Sequence, residues 1–228
     1  PLFFFSLCLF LTIKEDVMKR IIKCLGLLAI ITLLLPSCAL TTEYIELEYQ
    51  PMNTATAVVG AEKSKLIVSV KDTRPSNRKV SCKKNGYGME MAGIFSEQEV
   101  AVVLNGAITQ ELSARGFSTG DNLDPNAFVK VEILKFYNDF KVGFFSSEAE
   151  SEIILNVSVK DKVQANLYSK TIMTKGKEDT VMIMSGDNAR LSLEDALRNS
   201  VAKLMQDEDF VQALLKKPEE EPQEEVLS

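Results

Sequence analysis

The 228-residue chain contains no histidine and no tryptophan. Without histidine there can be no Ser-His-Asp triad, no Cys-His dyad and no HExxH zinc site. A glycine-rich phosphate loop is missing too, because Asn85-Gly86-Tyr87-Gly88 is too short and opens no helix. Positive charge is in deficit, with 26 basic against 32 acidic residues and a net charge of −6. An acidic chain suits neither nucleic acid, whose phosphates need clustered Lys and Arg, nor charge-driven adsorption to anionic lipid. Cysteine is scarce, at four residues. These absences predict no enzyme, no metal or cofactor site and no nucleic-acid partner.

What is present begins with a targeting signal. The chain opens on Pro1, and an apolar run from Leu2 to Ile13 ends at Lys14, Glu15 and Asp16. From Met18 onward a complete signal can be read, so Met18 is the expected start and residues 1–17 an over-extended reading frame. Lys19, Arg20 and Lys23 form a basic region, followed by 12 mostly apolar residues from Cys24 to Leu35. That run is too short to span a hydrocarbon core of about 30 Å as a helix and fits a signal peptide over 18–37.

The run ends in Leu35-Pro36-Ser37-Cys38, which resembles a lipobox. A thiol takes the diacylglyceryl group. A small preceding side chain lets a peptidase reach the bond, and the freed amine of Cys38 can then be N-acylated. Each buried CH₂ contributes about 0.8 kcal/mol, so two or three chains anchor stably where one does not. In enterobacterial lipoproteins Asp after the cysteine retains the protein in the inner membrane, so Ala39 predicts the outer membrane with the domain in the periplasm. Cleavage removes Lys14, Lys19, Arg20, Lys23, Glu15 and Asp16, which leaves 22 basic and 30 acidic residues and a charge of −8. The mature chain keeps Cys82 as its one unlipidated thiol, so an internal disulfide is ruled out and a buried, inert thiol is expected.

Residues 38–64 read as the lipidated cysteine and a tether, in which Tyr44–Tyr49 alternates like a short edge strand. Residues 217–228 hold two prolines and five glutamates and have the composition of a disordered acidic tail. Between them lies one domain, 65–216. Leu66–Val70 is strand-like, Arg74–Lys84 a basic loop, and Asn85-Gly86 a hairpin-type turn. Ser96 and Glu99 form a capping box for a helix whose stripe is Val100, Val103, Leu104, Ala107, Ile108 and Leu112. Gly116 ends that helix. Strands follow over Phe128–Tyr137, Ile153–Lys160 and Ala165–Thr174, with a turn near Asp161-Lys162, and a last helix opens near Ser192. The order β-β-α-β-β-β-α predicts an α+β fold: one antiparallel sheet of four or five strands with two main helices on one face.

The candidate partner contacts are Phe144 and Phe145, two apolar side chains at a predicted hairpin tip, and Asp187, Asn188 and Arg190, in a turn ahead of the last helix. Glu148, Glu150, Glu152, Glu194 and Asp195 are the carboxylates that a muramyl hydrolase reading would require.

Several segments together resemble the YajG family of bacterial outer-membrane lipoproteins. They are Val68–Pro75, Leu112–Phe117, Val131–Tyr137, and Asp187–Arg190 followed by Ser192–Leu197. They stand in the family's order and cover most of the mature domain. The resemblance implies class and compartment, and no catalytic residue. The expected function is a non-enzymatic accessory that reaches the membrane through lipid on Cys38 and binds an envelope protein, with self-association left open. The alternative is a module for a peptidoglycan fragment or lipid; a carboxylate-based hydrolase ranks below both.

Overall fold

The computed structural model describes Lys23 and residues 41–52, 56–120, 124–142, 147–181 and 183–216. Pro1–Cys38 and Ala39–Ser228 form separate units, and of the first only the helical Lys23 is described.

The second unit has eight strands among its described residues. They are β1 (Glu43–Ile45), β2 (Lys65–Asp72), β3 (Lys79–Lys84), β4 (Glu90–Ser96), β5 (Ser118–Thr119), β6 (Ala127–Val142), β7 (Ser147–Asp161) and β8 (Asn166–Val181). The helices are α1 (Val100–Ala114), α2 (Gly186–Met205) and α3 (Glu208–Leu215). The α+β class is as expected, and the sheet divides in two. A five-stranded sheet has the order β5-β2-β6-β7-β8, and a three-stranded one the order β1-β4-β3. β6, β7 and β8 form the predicted antiparallel meander. β2 instead runs parallel to β6 and β5, and β1 parallel to β4. Short links impose antiparallel pairing, but the long excursion from Asp72 to Ala127 frees β2 and β6 to lie parallel.

Residues 41–52 and 56–64 pack on the domain and are not a tether, which corrects the expected boundary at 65. Ile45, Leu47 and Ala61 enter the core. Backbone N–H groups of the segment donate to distant side chains: Leu47 to Gln98 Oε1 (3.2 Å), Glu48 to Glu194 Oε1 (3.1 Å) and Met52 to Glu111 Oε1 (2.8 Å). The Glu111 side chain is 1% exposed, accepts from the Tyr49 hydroxyl at 2.9 Å and pairs with Arg115 at 2.7 Å.

α1 buries Val100, Leu104, Ala107, Ile108 and Leu112 of the expected stripe, leaves Val103 half-buried and adds Glu111, and Gly116 closes the helix with φ 95°. Phe117 N donates to Leu112 O and Gly116 N to Ser113 O, which satisfies the last carbonyls. The Ser96 cap is corrected: Ser96 ends β4, pairs with Ile45 and donates its N–H to Arg78 O at 2.8 Å, so strand pairing wins over capping. Its Oγ is buried without a hydrogen-bond partner. Arg74–Lys84 is likewise only half loop. Arg74 turns the chain, reaching Asp72 (2.7 Å), Phe136 O (2.6 Å) and Asn77 O (2.8 Å), and its second half becomes β3, with Val80, Ser81, Cys82 and Lys83 buried.

α2 begins at Gly186, six residues before the predicted start at Ser192. Ser185 caps it by accepting from Asn188 N, whereas Ser192 is buried and donates to Ala149 O and Gly176 O. Small residues (Ala189, Ser192, Ala196, Ser200) let this helix lie directly on the sheet. A Cβ on Gly176 would stand 2.2 Å from Ser192 O and 2.4 Å from Ala196 N. Along its flank α2 also covers the free edge of β8. Asn199 donates to Lys175 O (2.9 Å), Lys203 to Met173 O (3.1 Å), and Asp195 accepts from Lys177 N (3.4 Å). A long unpaired edge would otherwise invite another strand.

Gly176→Ala should therefore force α2 off the sheet and cost on the order of 3 kcal/mol. Gly86→Ala, where an added Cβ meets nothing within 4 Å, should cost little. Urea denaturation of the two variants checks this.

Candidate functional site

Of the candidate residues, Leu35, Pro36, Ser37, Cys38, Phe144 and Phe145 lie outside the described residues. Asp187, Asn188 and Arg190 do not form a turn ahead of the helix: they are its first turn. Asp187 sits where a negative charge complements the N–H groups of a helix start. Arg190 lies 3.6 Å from Asp187 and 3.1 Å from Glu194, and Asn188 Nδ2 donates to Ile183 O at 2.8 Å. Glu43, in β1, ties this helix start to β3 of the three-stranded sheet. One of its oxygens accepts from Gly186 N, and the other pairs with Lys83 Nζ at 2.5 Å. A shallow cleft of about 140 Å³ runs beside the helix between Glu48, Gln50, Leu191, Glu194 and Arg198.

The second candidate surface is the sheet face away from the helices. The register sets Glu152 between Tyr137 and Lys175, and Glu150 between Asp139 and Lys177. Glu150 pairs with Lys141 and Lys175, Glu152 with Lys135, and Asp139 with Lys84. Apart from Lys84, these side chains line a cleft of about 180 Å³ together with Tyr137. Hydrogen bonds from Lys141, then Lys175, outweigh desolvation and lower the Glu150 pKa to about 2. A general acid needs its pKa raised towards neutrality, so Glu150, already flanked by two ammonium groups, is unsuited to donate a proton. The sequence signalled the carboxylates at 148, 150 and 152; their lysine partners emerge only from the register.

Cys82 is buried, as expected, and accepts a hydrogen bond from the Tyr137 hydroxyl at 3.2 Å. Burial raises its pKa and holds it as the poorly nucleophilic thiol. Among the described residues no three His, Cys, Asp or Glu side chains gather as a metal site. No helix among them is long and apolar enough to cross a membrane.

Glu150 titrates lower in the fold than in the unfolded chain, so its contribution to stability is present above about pH 4.5 and is lost as pH falls towards about 2. Glu150→Gln should flatten that part of the acid limb. Added salt should also weaken the contribution in the native protein, because both lysine partners are more than half exposed. Urea midpoints measured between pH 2 and 6 check both.

A family model described as "Uncharacterized lipoprotein" matches residues 51–215. No curated protein matches. A crystal structure from Xanthomonas campestris, of family DUF330, is similar to the chain at 13% identity and a TM-score of 0.55, covering 76% of this chain and 95% of that one. A minor lipoprotein from Acinetobacter baumannii matches at 9% identity and a TM-score of 0.35, over 61% of this chain and 89% of that one. A lipoprotein from Neisseria meningitidis matches at 9% identity and 0.32, over 61% and 99%.

Proposed function

The chain belongs to the family of uncharacterized lipoproteins, and from that membership we propose a non-enzymatic envelope lipoprotein that binds another envelope protein. In this reading acyl chains on Cys38 fix it to the outer membrane, and the domain faces the periplasm. The signal over 18–37, the lipobox and Ala39 support the anchor and the destination. The observation that carries the non-enzymatic part is Glu150, the most enclosed carboxylate of the open sheet face, held ionised between two lysines.

The first turn of α2 is the proposed partner contact, with Asp187, Asn188 and Arg190 held in place by Ser185, Ile183 and Glu194. Phe144 and Phe145 are proposed to contribute from the link between β6 and β7. The competing reading, a module for a peptidoglycan fragment or lipid, would want a cavity between sheet and helices. There Val131, Ile153, Leu155, Leu193 and Leu197 are buried together, and both clefts described above lie outside that interface.

Mass analysis of the native protein should find an acylated Cys38 as its first residue, and globomycin should block that maturation. Ala39→Asp should move the protein to the inner-membrane fraction. Pull-down from detergent-solubilised envelopes should recover a partner that a Cys38→Ala control does not. Combining Asp187→Arg with Arg190→Glu should lower that recovery several-fold, and recovery equal to the native protein's would remove this contact from the proposal.

A further inference from the structure

We propose that the turn of the β3–β4 hairpin rests in the lipid headgroup layer beside the anchor, with Tyr87 and Met89 entering the bilayer surface. This rests on the lipoprotein reading of Cys38.

Five peptide steps separate Cys38 from Glu43, the first residue of β1. Those steps span at most about 18 Å. With residues 41–52 packed on the domain, no long stalk is left to hold it away from the membrane. β1 lies parallel to β4, with Glu43 opposite Ile94. In a parallel pair both strands start at the same end, so Glu43, the first residue of β1, lies on the side of β4 that faces the β3–β4 turn, opposite a residue five past Met89.

The turn and the strand after it display large apolar side chains. Tyr87 is 92% exposed, Met89 58% and Met91 44%. The turn holds them in a fixed arrangement. Asn85 Oδ1 accepts from both Tyr87 N and Met89 N at 3.0 Å, Asn85 N donates to Met89 O, and Gly88 takes φ 80°, a conformation that favours glycine. Exposed large apolar side chains on a pre-ordered turn fit an apolar surface. A tyrosine, apolar along its ring and polar at its tip, belongs at a membrane–water boundary.

The charge distribution agrees. From Thr73 to Met89 the chain has five basic residues and no acidic one; Arg74, Lys79, Lys83 and Lys84 pair with Asp72, Glu90, Glu43 and Asp139, so this region lacks the acidic excess of the whole chain that anionic lipid would repel. The five glutamates of 217–228 follow Lys216, which lies beside Val59, Gly60 and Asn126. Asn126 precedes β6, and Lys84, next to the turn, pairs with Asp139 near the far end of β6. Thirteen residues of strand, on the order of 40 Å, separate those two levels. The acidic tail is thus joined to the domain at the end away from the proposed lipid contact.

The absence of tryptophan supplies the test. Native acylated protein carrying Tyr87→Trp is reconstituted into vesicles of phosphatidylethanolamine and phosphatidylglycerol with brominated acyl chains. Met89→Trp is a second probe in case Tyr87→Trp perturbs the turn. Val163→Trp is the control, in the turn between β7 and β8 at the opposite end and 69% exposed. It shares any intrinsic preference of tryptophan for the interface. The expected result is a blue-shifted emission quenched several-fold more strongly for the hairpin probes than for Val163→Trp. Equal quenching at both ends, or none at either, overturns the docking and leaves lipidation intact. Native protein without acyl groups on Cys38 overturns the lipoprotein reading, and the docking with it.

Discussion

The buried carboxylate of Glu111 decides where the folded protein begins. It projects from α1 into the core, where an unpaired charge would cost several kcal/mol. Three groups offset that cost: the Tyr49 hydroxyl, the Met52 N–H and the Arg115 guanidinium. Two of the three come from residues ahead of β2. The carboxylate is satisfied only while that segment lies on the helix, and the segment is ordered only while the carboxylate is there to receive it. Glu43 does the same a few residues earlier, joining β1 to Lys83 of β3 and to the start of α2. Between them these two side chains turn a small polar stretch of sequence into part of the domain.

The last long helix applies a related constraint to the other edge. It approaches β8 closely because Gly176 has no side chain and Ser192 and Ala196 are small. It then reaches over the edge with Asp195, Asn199 and Lys203. An added strand would have to displace those contacts, so β8 is poorly disposed to recruit one. Surfaces left for recognition are the charged face of the five-stranded sheet, the first turn of α2 and the tip of the β3–β4 hairpin.

Elements set by local pattern were legible in the sequence. The stripe and terminal glycine of α1, the turn at Asn85, the turn at Asp161 and the meander of β6, β7 and β8 all depend on neighbours a few residues apart. Elements set by distant partners were not. The pattern Ser192-x-x-Asp195 imitates a helix start, yet Ser192 serves to bond β7 and β8, and Ser185 is the cap. Ser96 and Glu99 imitate a capping box, yet Ser96 belongs to a ladder with Ile45, some fifty residues earlier. The stretch 41–52 is polar enough to pass for a stalk because its contacts are hydrogen bonds to the buried Glu111 and the half-buried Gln98 and Glu194 as much as apolar burial. Legibility of the candidate site follows the same division. A lipobox is a local pattern, whereas the lysine–glutamate pairs of the open face depend on a three-strand register that no single strand contains.

The central claim is that the domain starts within a few residues of Cys38, and amide hydrogen exchange of the mature protein tests it most directly. The Leu47 and Met52 amides donate to side chains of the domain. If the claim holds, both exchange slowly and by sub-global or global opening, as those of β7 do. Exchange at the rate of an unfolded peptide, with β7 still protected, would show a flexible stalk and contradict the account.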